Sequence, residues 1–185
     1  MPLLTSKFRK IARFCRIKGG VDLAAVGGSK KWITHPANTA LTGGTDTTPV
    51  NGTRFSASVY IPHNMIMTGI GYLIGTVGGT NNVIVELHDA DGKLIANSAV
   101  AGTLCGTLAT FQEIAFTAPV EVVQGWYFLS VTMNGNTARL RTIPTALSIS
   151  QTALTKSAAG TFGTVGDLTV PTTFTADVGP IAYTY

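Results

Sequence analysis

Two carboxylates lie close enough in this sequence to bind a metal ion together. Asp89 and Asp91 stand in the pattern Asp-x-Asp-Gly, which matches the start of a calcium-binding loop. The later ligands of such a loop are missing from the residues that follow. An Asp-Gly pair between two apolar runs is also a strong signal of a β-hairpin, because glycine accepts the positive φ of a tight turn. We therefore interpret Asp89–Gly92 as a turn rather than as a calcium site.

The other residues that could do chemistry are scattered along the chain. The histidines are His35, His63 and His88, and the single acids on strands or turns are Glu86, Glu113 and Glu121. Two distant acids can meet in space, as in glycosidases, but no pattern in this sequence pairs them. Gly-x-Ser-x-Gly, His-Glu-x-x-His and Walker motifs do not occur, and Cys15 and Cys105 fit neither a disulfide framework nor a zinc site. We predict a non-enzymatic protein without catalytic residues, cofactor or metal.

The elements that would position these residues are short β-strands. In the run 83–88, Val83, Val85 and Leu87 face one side and the intervening residues face the other, which predicts a half-buried strand. Residues 126–133 are rich in aromatic and β-branched side chains and are our candidate for a central strand. The glycines of the run 69–75 have one residue too many for a dinucleotide-binding fingerprint, so we interpret them as marking bulges or close packing.

Turn residues separate the predicted strands at regular spacing. The strands cover residues 55–61, 65–74, 83–88, 93–96, 111–116, 126–133 and 137–141, and residues 117–119 close the fifth of them. Residues 146–149 are a further candidate strand, and 180–185 are expected to form a last strand that pairs with an early one. This pattern predicts an all-β fold, an antiparallel β-sandwich that is jelly-roll-like.

The first 31 residues differ sharply in charge from the rest. They hold eight of the thirteen basic residues and a single acid, Asp22, so their net charge is +7 while residues 32–185 carry −3. Leu4, Phe8, Ile11 and Cys15 recur at helical spacing, which predicts a short amphipathic basic helix from Thr5 to Lys18. The candidate partner-binding residues of this N-terminal basic arm are Lys7, Phe8, Arg9, Lys10, Ile11, Arg13, Phe14 and Arg16.

Three interpretations of the arm stay open. It could dock on a neighbouring subunit, it could contact nucleic acid or an acidic protein surface by counterion release, or it could be a solvated tail or a membrane-surface helix. We favour docking on a subunit, because a helix this short needs a partner surface to form. Nucleic acid is disfavoured, since no aromatic residues are interleaved at a spacing suited to base stacking.

Bulk composition and the remaining segments complete the domain prediction. Charged residues make up only 12% of the chain, against about 25% in average soluble domains, which is typical of a surface buried against other subunits or of a neutral Thr-rich β surface. The sequence has no run of about 18 apolar residues, so no transmembrane helix is predicted. No secretory signal is expected either. We predict a basic arm at 1–31, a Gly/Thr-rich linker at 32–53 and a β-sandwich domain at 54–185.

The core resembles a β-sandwich domain found in structural proteins of tailed bacteriophages, mostly head decoration and fibre proteins. The residues that carry the resemblance are Thr68–Gly75, Val83–Ser98, Phe111–Pro119, Gly125–Phe128 and Asn134–Arg139, within residues 54–142. The resemblance implies a virion location and a structural role, and it brings no catalytic residues with it. The basic arm and the region after residue 142 lie outside it.

These observations lead to two functional hypotheses. The first is a virion structural protein, a capsid decoration or head-associated subunit that its arm anchors to neighbouring virion proteins. Such a subunit would be a homo-oligomer, for which a trimer is our working guess. The rival is a carbohydrate- or receptor-binding module of a phage fibre or tail, which would need exposed aromatic side chains. Tyr60, Tyr72, Trp126 and Tyr127 are available, but their strand patterns place them in the core.

Overall fold

The computed structural model describes residues 32–33, 44–106, 109–145 and 153–185. Within these residues every regular element is a β-strand, and all strand pairs are antiparallel. The strands are β1 (Trp32–Ile33), β2 (Thr45–Thr47), β3 (Arg54–Ile61), β4 (Met65–Leu73), β5 (Asn82–His88), β6 (Leu94–Asn97), β7 (Thr103–Leu104), β8 (Phe111–Val122), β9 (Gly125–Met133), β10 (Leu140–Thr142), β11 (Thr155–Ala158) and β12 (Ala182–Thr184).

The strands form two large sheets and one small one. The four-stranded sheet has the order β1-β12-β4-β8, and the six-stranded sheet has the order β11-β3-β9-β5-β6, with β7 also paired to β5. The strands β2 and β10 form a separate pair. β9 lies between β3 and β5, which confirms that residues 126–133 form a central strand.

The larger of two hydrophobic core clusters lies between the two large sheets, in a β-sandwich-like arrangement. Alternate residues of both sheets point into it, among them Val59 of β3, Ile70 of β4, Val85 of β5, Ile114 of β8 and Leu129 of β9. Strands supply such a face because their side chains alternate with a period of two. The all-β antiparallel fold expected from the alternating sequence is therefore confirmed.

The phenol of Tyr72 lies inside this core, where its side chain is fully buried. It donates a hydrogen bond to Gln112 Oε1 at 2.8 Å and lies 3.3 Å from Cys105 Sγ. Burial raises the pKa of Tyr72 far above its ordinary value, and the neighbouring Cys105 adds to the effect. The predicted core position of Tyr72 is confirmed, and so is that of Tyr127, which is also buried.

Two predicted strand boundaries are wrong. Residues 117–119 do not close a strand, because β8 continues through them to Val122 and pairs with β4 along its whole length apart from a register shift. The shift falls between Met67 and Gly69 and accommodates the extra residues of β8 as a bulge. The strand expected at 137–141 begins only at Leu140, since the buried side chain of Asn81 accepts a hydrogen bond from Ala138 N and holds the preceding residues in a turn.

The glycines of β4 mark a bulge and close packing, as their spacing predicted. Gly69 follows the register shift, and a side chain at Gly71 would collide with the ring of Tyr183 on β12. The last strand pairs with an early one, as expected, because β12 lies between β4 and β1.

Residues assigned to a linker also contribute strands. β1 pairs with β12 through Trp32 and Ile33, and β2 pairs with β10 through residues 45–47. The candidate strand at 146–149 lies outside the described residues.

Candidate functional site

The outer face of the six-stranded sheet carries the polar residues of the central strands. Because Ser56 on β3 is opposite Ser130 on β9, and Ser130 is opposite Glu86 on β5, these three side chains share that face. The predicted side-to-side alternation of residues 83–88 is confirmed. The prediction of a half-buried strand is wrong, because Ile84, Glu86 and His88 on the outer face are as buried as the core face.

A loop segment explains this burial by crossing the outer face. Residues 160–170, here called the covering segment, begin against Gly52 and end on the β5–β6 hairpin. Leu168 N donates to Gly92 O at 2.7 Å, and Leu168 itself is buried. The covering segment is also tied at its exposed edge, where Lys93 Nζ donates to Asp167 Oδ2 at 2.6 Å. This hydrogen bond lowers the pKa of the Asp167 carboxyl and raises the pKa of the Lys93 ammonium.

Beneath the covering segment lies a buried polar network centred on Glu86. The guanidinium of Arg54 contacts both carboxylate oxygens of Glu86, with Nε 3.0 Å from Oε1 and Nη2 2.8 Å from Oε2. His88 Nε2 lies 3.5 Å from Glu86 Oε2 and 3.1 Å from Gly166 O. Since a buried charge is costly unless it is paired, the Arg54–Glu86 pair satisfies a requirement of the fold.

The network brings a serine, a histidine and a carboxylate together. His88 Nε2 faces two acceptors, the Gly166 carbonyl and the Glu86 carboxylate, and His88 Nδ1 lies 3.3 Å from the Ser130 hydroxyl. Ser130 is fully buried, and its hydroxyl also lies 2.8 Å from that of Ser56. A nucleophilic serine needs an open approach for its substrate, so we interpret this set as a structural network.

The open part of the same face is aromatic. Tyr60 and Trp126 are opposite each other at the ends of β3 and β9, with ring centroids 5.2 Å apart and planes tilted by 58°. Trp126 is 50% exposed, whereas Phe128, two residues further along the same face, is only 3% exposed. Gln124 Nε2 donates to the Tyr60 hydroxyl at 2.7 Å. We call Tyr60, Gln124 and Trp126 the aromatic platform.

The turn that precedes Trp126 is fixed on both sides. Gln124 N donates to Asn64 Oδ1 at 3.0 Å, which joins it to the β3–β4 connection. The Tyr127 hydroxyl donates to Val123 O at 2.9 Å from the core side. The aromatic platform is therefore held by paired strands and a braced turn, which lowers the entropic cost of binding a ligand.

The expected core position of Trp126 is wrong, because its indole is half exposed. Tyr60 is partly buried rather than a core residue. Both side chains lie on the outer face, and the buried polar residues there depend on the covering segment for their burial. The sequence held a signal for the face on which Trp126 lies, since Trp126 is in phase with Ser130 and Thr132.

The other residues singled out by sequence lie as follows. Lys7, Phe8, Arg9, Lys10, Ile11, Arg13, Phe14 and Arg16, with His35 and Cys15, are outside the described residues. Asp89 caps a hairpin turn, because its Oδ1 accepts hydrogen bonds from Asp91 N and Lys93 N, and Gly92 adopts a φ of 81°. The turn interpretation of the Asp89–Gly92 pattern is confirmed.

Among the described residues, no group of three or more histidine, cysteine or acidic side chains could hold a metal ion. Across the same residues, no helix has the length and apolar character needed to span a bilayer. The chain matches no protein-family model and no curated protein sequence.

Proposed function

We propose that this chain is a non-enzymatic structural protein of a virion, a jelly-roll-like subunit that decorates or braces a phage head. Its N-terminal basic arm, residues 1–31, anchors it to neighbouring virion proteins, and a short amphipathic helix forms in the arm on docking. The single observation that carries the proposal is the separation of charge between the arm at +7 and residues 32–185 at −3.

The ion pairs within residues 32–185, here called the β body, strengthen the contrast in charge with the arm. Four of the five basic residues that follow the arm lie within 4 Å of an acid of the same body: Arg54 with Glu86, Lys93 with Asp167, and Arg139 and Arg141 with Asp46. Most cations of the β body thus form ion pairs with acids of the same body. An acidic partner would therefore bind chiefly to the cations of the arm. This favours an intermolecular role for the arm.

In the proposed mechanism the arm binds chiefly through its apolar face. Phe8, Ile11 and Phe14 bury against a neighbouring subunit, and each large side chain that is buried contributes roughly 1.5–3 kcal/mol. The cations of the arm meet acidic groups there, but exposed ion pairs contribute only about 0–1 kcal/mol each. The basic residues concerned are Lys7, Arg9, Lys10, Arg13 and Arg16.

Incorporation into purified virus particles tests this proposal. A chain lacking residues 1–20 should fold, because β1 begins only at Trp32, but it should not join particles. A Phe8→Ser, Ile11→Ser variant should behave like the deletion, while Lys7→Gln, Lys10→Gln should reduce incorporation only partly. Normal incorporation of the deleted chain would reject the proposal.

A matched control separates loss of the arm from loss of the fold. Lys156→Gln removes one cation from the β body and should leave incorporation unchanged. Circular dichroism of each purified variant should show the same β spectrum as the unaltered chain.

A further inference from the structure

An exposed tryptophan on a strand needs an explanation. The exposed fraction of Trp126 is 50%, and its ring packs against that of Tyr60. Large aromatic side chains dominate the energetics of interfaces because they bury much apolar area with few rotatable bonds. An aromatic pair that the fold braces and leaves open is thus suited to binding.

The polar groups of the aromatic platform are neutral and specifically placed. One amide hydrogen of Gln124 is used by the Tyr60 hydroxyl. The carbonyl oxygen of Gln124 remains as an acceptor, and the hydrogen of the Tyr60 hydroxyl remains as a donor. The platform therefore combines two aromatic rings with one side-chain acceptor, the Gln124 carbonyl, and with donors on the Tyr60 hydroxyl, the second Gln124 amide hydrogen and the Trp126 indole N–H. It contains no charged group.

The chemistry of the aromatic platform narrows the class of ligand. A charged ligand would find no counter-charge on the platform, and the net charge of −3 on residues 32–185 repels the phosphates of a nucleic acid. Rings tilted by 58° form an angled surface, which suits a puckered ring better than a flat base. A pyranose offers a C–H face to the rings and hydroxyls to the polar groups.

We propose that Tyr60, Gln124 and Trp126 form a binding site for a neutral pyranose residue of an oligosaccharide or polysaccharide. Trp126 stacks on the sugar ring, Tyr60 supports the indole and donates to a hydroxyl, and Gln124 accepts from a second hydroxyl. The site does not depend on the structural role proposed above, and it would let an assembled subunit attach to a glycan.

The test is a titration of the full chain with neutral hexose and N-acetylhexosamine oligosaccharides. Tryptophan fluorescence and calorimetry measure the binding. We expect one class of these sugars to bind and Trp126→Ala to weaken its binding about ten-fold or more. Trp126→Phe should keep part of the affinity, and Gln124→Ala should lower it by a smaller factor. Trp32→Phe, which removes the other tryptophan of the chain, assigns the fluorescence change to Trp126.

Ile66→Ala is the matched control, because Ile66 is 65% exposed but lies on β4 in the other sheet. It should leave sugar binding unchanged. Four outcomes would overturn the proposal: no binding across the set, unchanged binding by Trp126→Ala, preferential binding of single-stranded nucleic acid that Trp126→Ala abolishes, or loss of self-association in Trp126→Ala without any sugar binding.

Discussion

Glu86 holds a charge where only 1% of its side chain is exposed, and the outer face of the sheet is arranged around it. Arg54 supplies the opposite charge through two contacts, and the Gly166 amide of the covering segment lies 3.5 Å from the carboxylate. A buried pair of this kind contributes little net stability compared with apolar residues, but removing one partner leaves the other uncompensated. The network therefore makes correct docking of the covering segment a condition of stability.

Glu86→Ala should lower the free energy of unfolding by about 3 kcal/mol, because Arg54 and His88 lose their common partner. Urea unfolding at pH 7 measures the change. The double variant Arg54→Met, Glu86→Leu should recover most of the loss, since it removes both charges together. Glu121→Ala, at an exposed position of β8, should change stability by less than about 0.5 kcal/mol. A loss at Glu86 no larger than at Glu121 would refute this account of the network.

Tyr72 makes the stability of the fold depend on pH in the alkaline range. The ordinary pKa of a tyrosine is about 10, and burial raises the pKa of Tyr72 in the folded protein. Above about pH 10 the unfolded chain releases this proton while the folded chain retains it, so stability that is complete below pH 10 is lost as the pH rises.

Tyr72→Phe should therefore flatten the decline of unfolding free energy between about pH 9 and pH 11. At neutral pH the variant should be less stable by about 1 kcal/mol, because Gln112 loses a hydrogen bond. Urea unfolding across this pH range gives the slopes, and Tyr60→Phe on the surface serves as the control. Equal slopes for Tyr72→Phe and the unaltered chain would contradict the assignment.

At the scale of elements, the β5–β6 hairpin and the covering segment depend on each other. The hairpin turns at Gly92, whose φ is 81°, and its carbonyl accepts from Leu168 N. A side chain at Gly92 would collide with Leu168 O. Glycine is required here both for the turn and for the approach of the covering segment.

Gly92→Ala should lower the free energy of unfolding by about 2–4 kcal/mol, the sum of a left-handed backbone penalty of roughly 1–2 kcal/mol and the displacement of the covering segment. Gly79→Ala is a matched control, because Gly79 has a φ of 83° but open space around it. Gly79→Ala should lower the free energy of unfolding by the backbone penalty alone. Thermal unfolding compares the two variants, and equal losses would show that the covering segment does not press on the hairpin.

Elements differ in how far sequence alone could specify them. β9 and β5 were predictable as strands because their patterns are local, and the central position of β9 follows from its aromatic and β-branched side chains. The burial of Glu86 and His88 was not predictable from sequence, because it depends on Gly166, which lies about 80 residues away in the chain. The alternation of β9 places Trp126 on the outer face with Ser130 and Thr132, but it does not tell how much of that face the covering segment buries.

At the scale of the whole molecule, the low content of charged residues and the basic arm predict an assembling protein. Light scattering of the full chain and of residues 32–185 at two salt concentrations measures this. We expect a defined oligomer for the full chain, a monomer for the shorter chain, and only modest salt sensitivity, since the apolar face of the arm supplies most of the affinity. The same salt-insensitive oligomer for both chains would assign the contacts to the β body instead.

The central position of β12 in the four-stranded sheet also has a consequence for biosynthesis. Ala182 pairs with Tyr72, so the ribosome must add 110 residues after Tyr72 before this partner exists. At about 5–20 residues per second this delay is roughly 5–20 s. Throughout it, the edge of β4 that β12 will occupy is open to strands of other nascent chains. Slow translation would lengthen that interval, and the yield of native protein should fall with it.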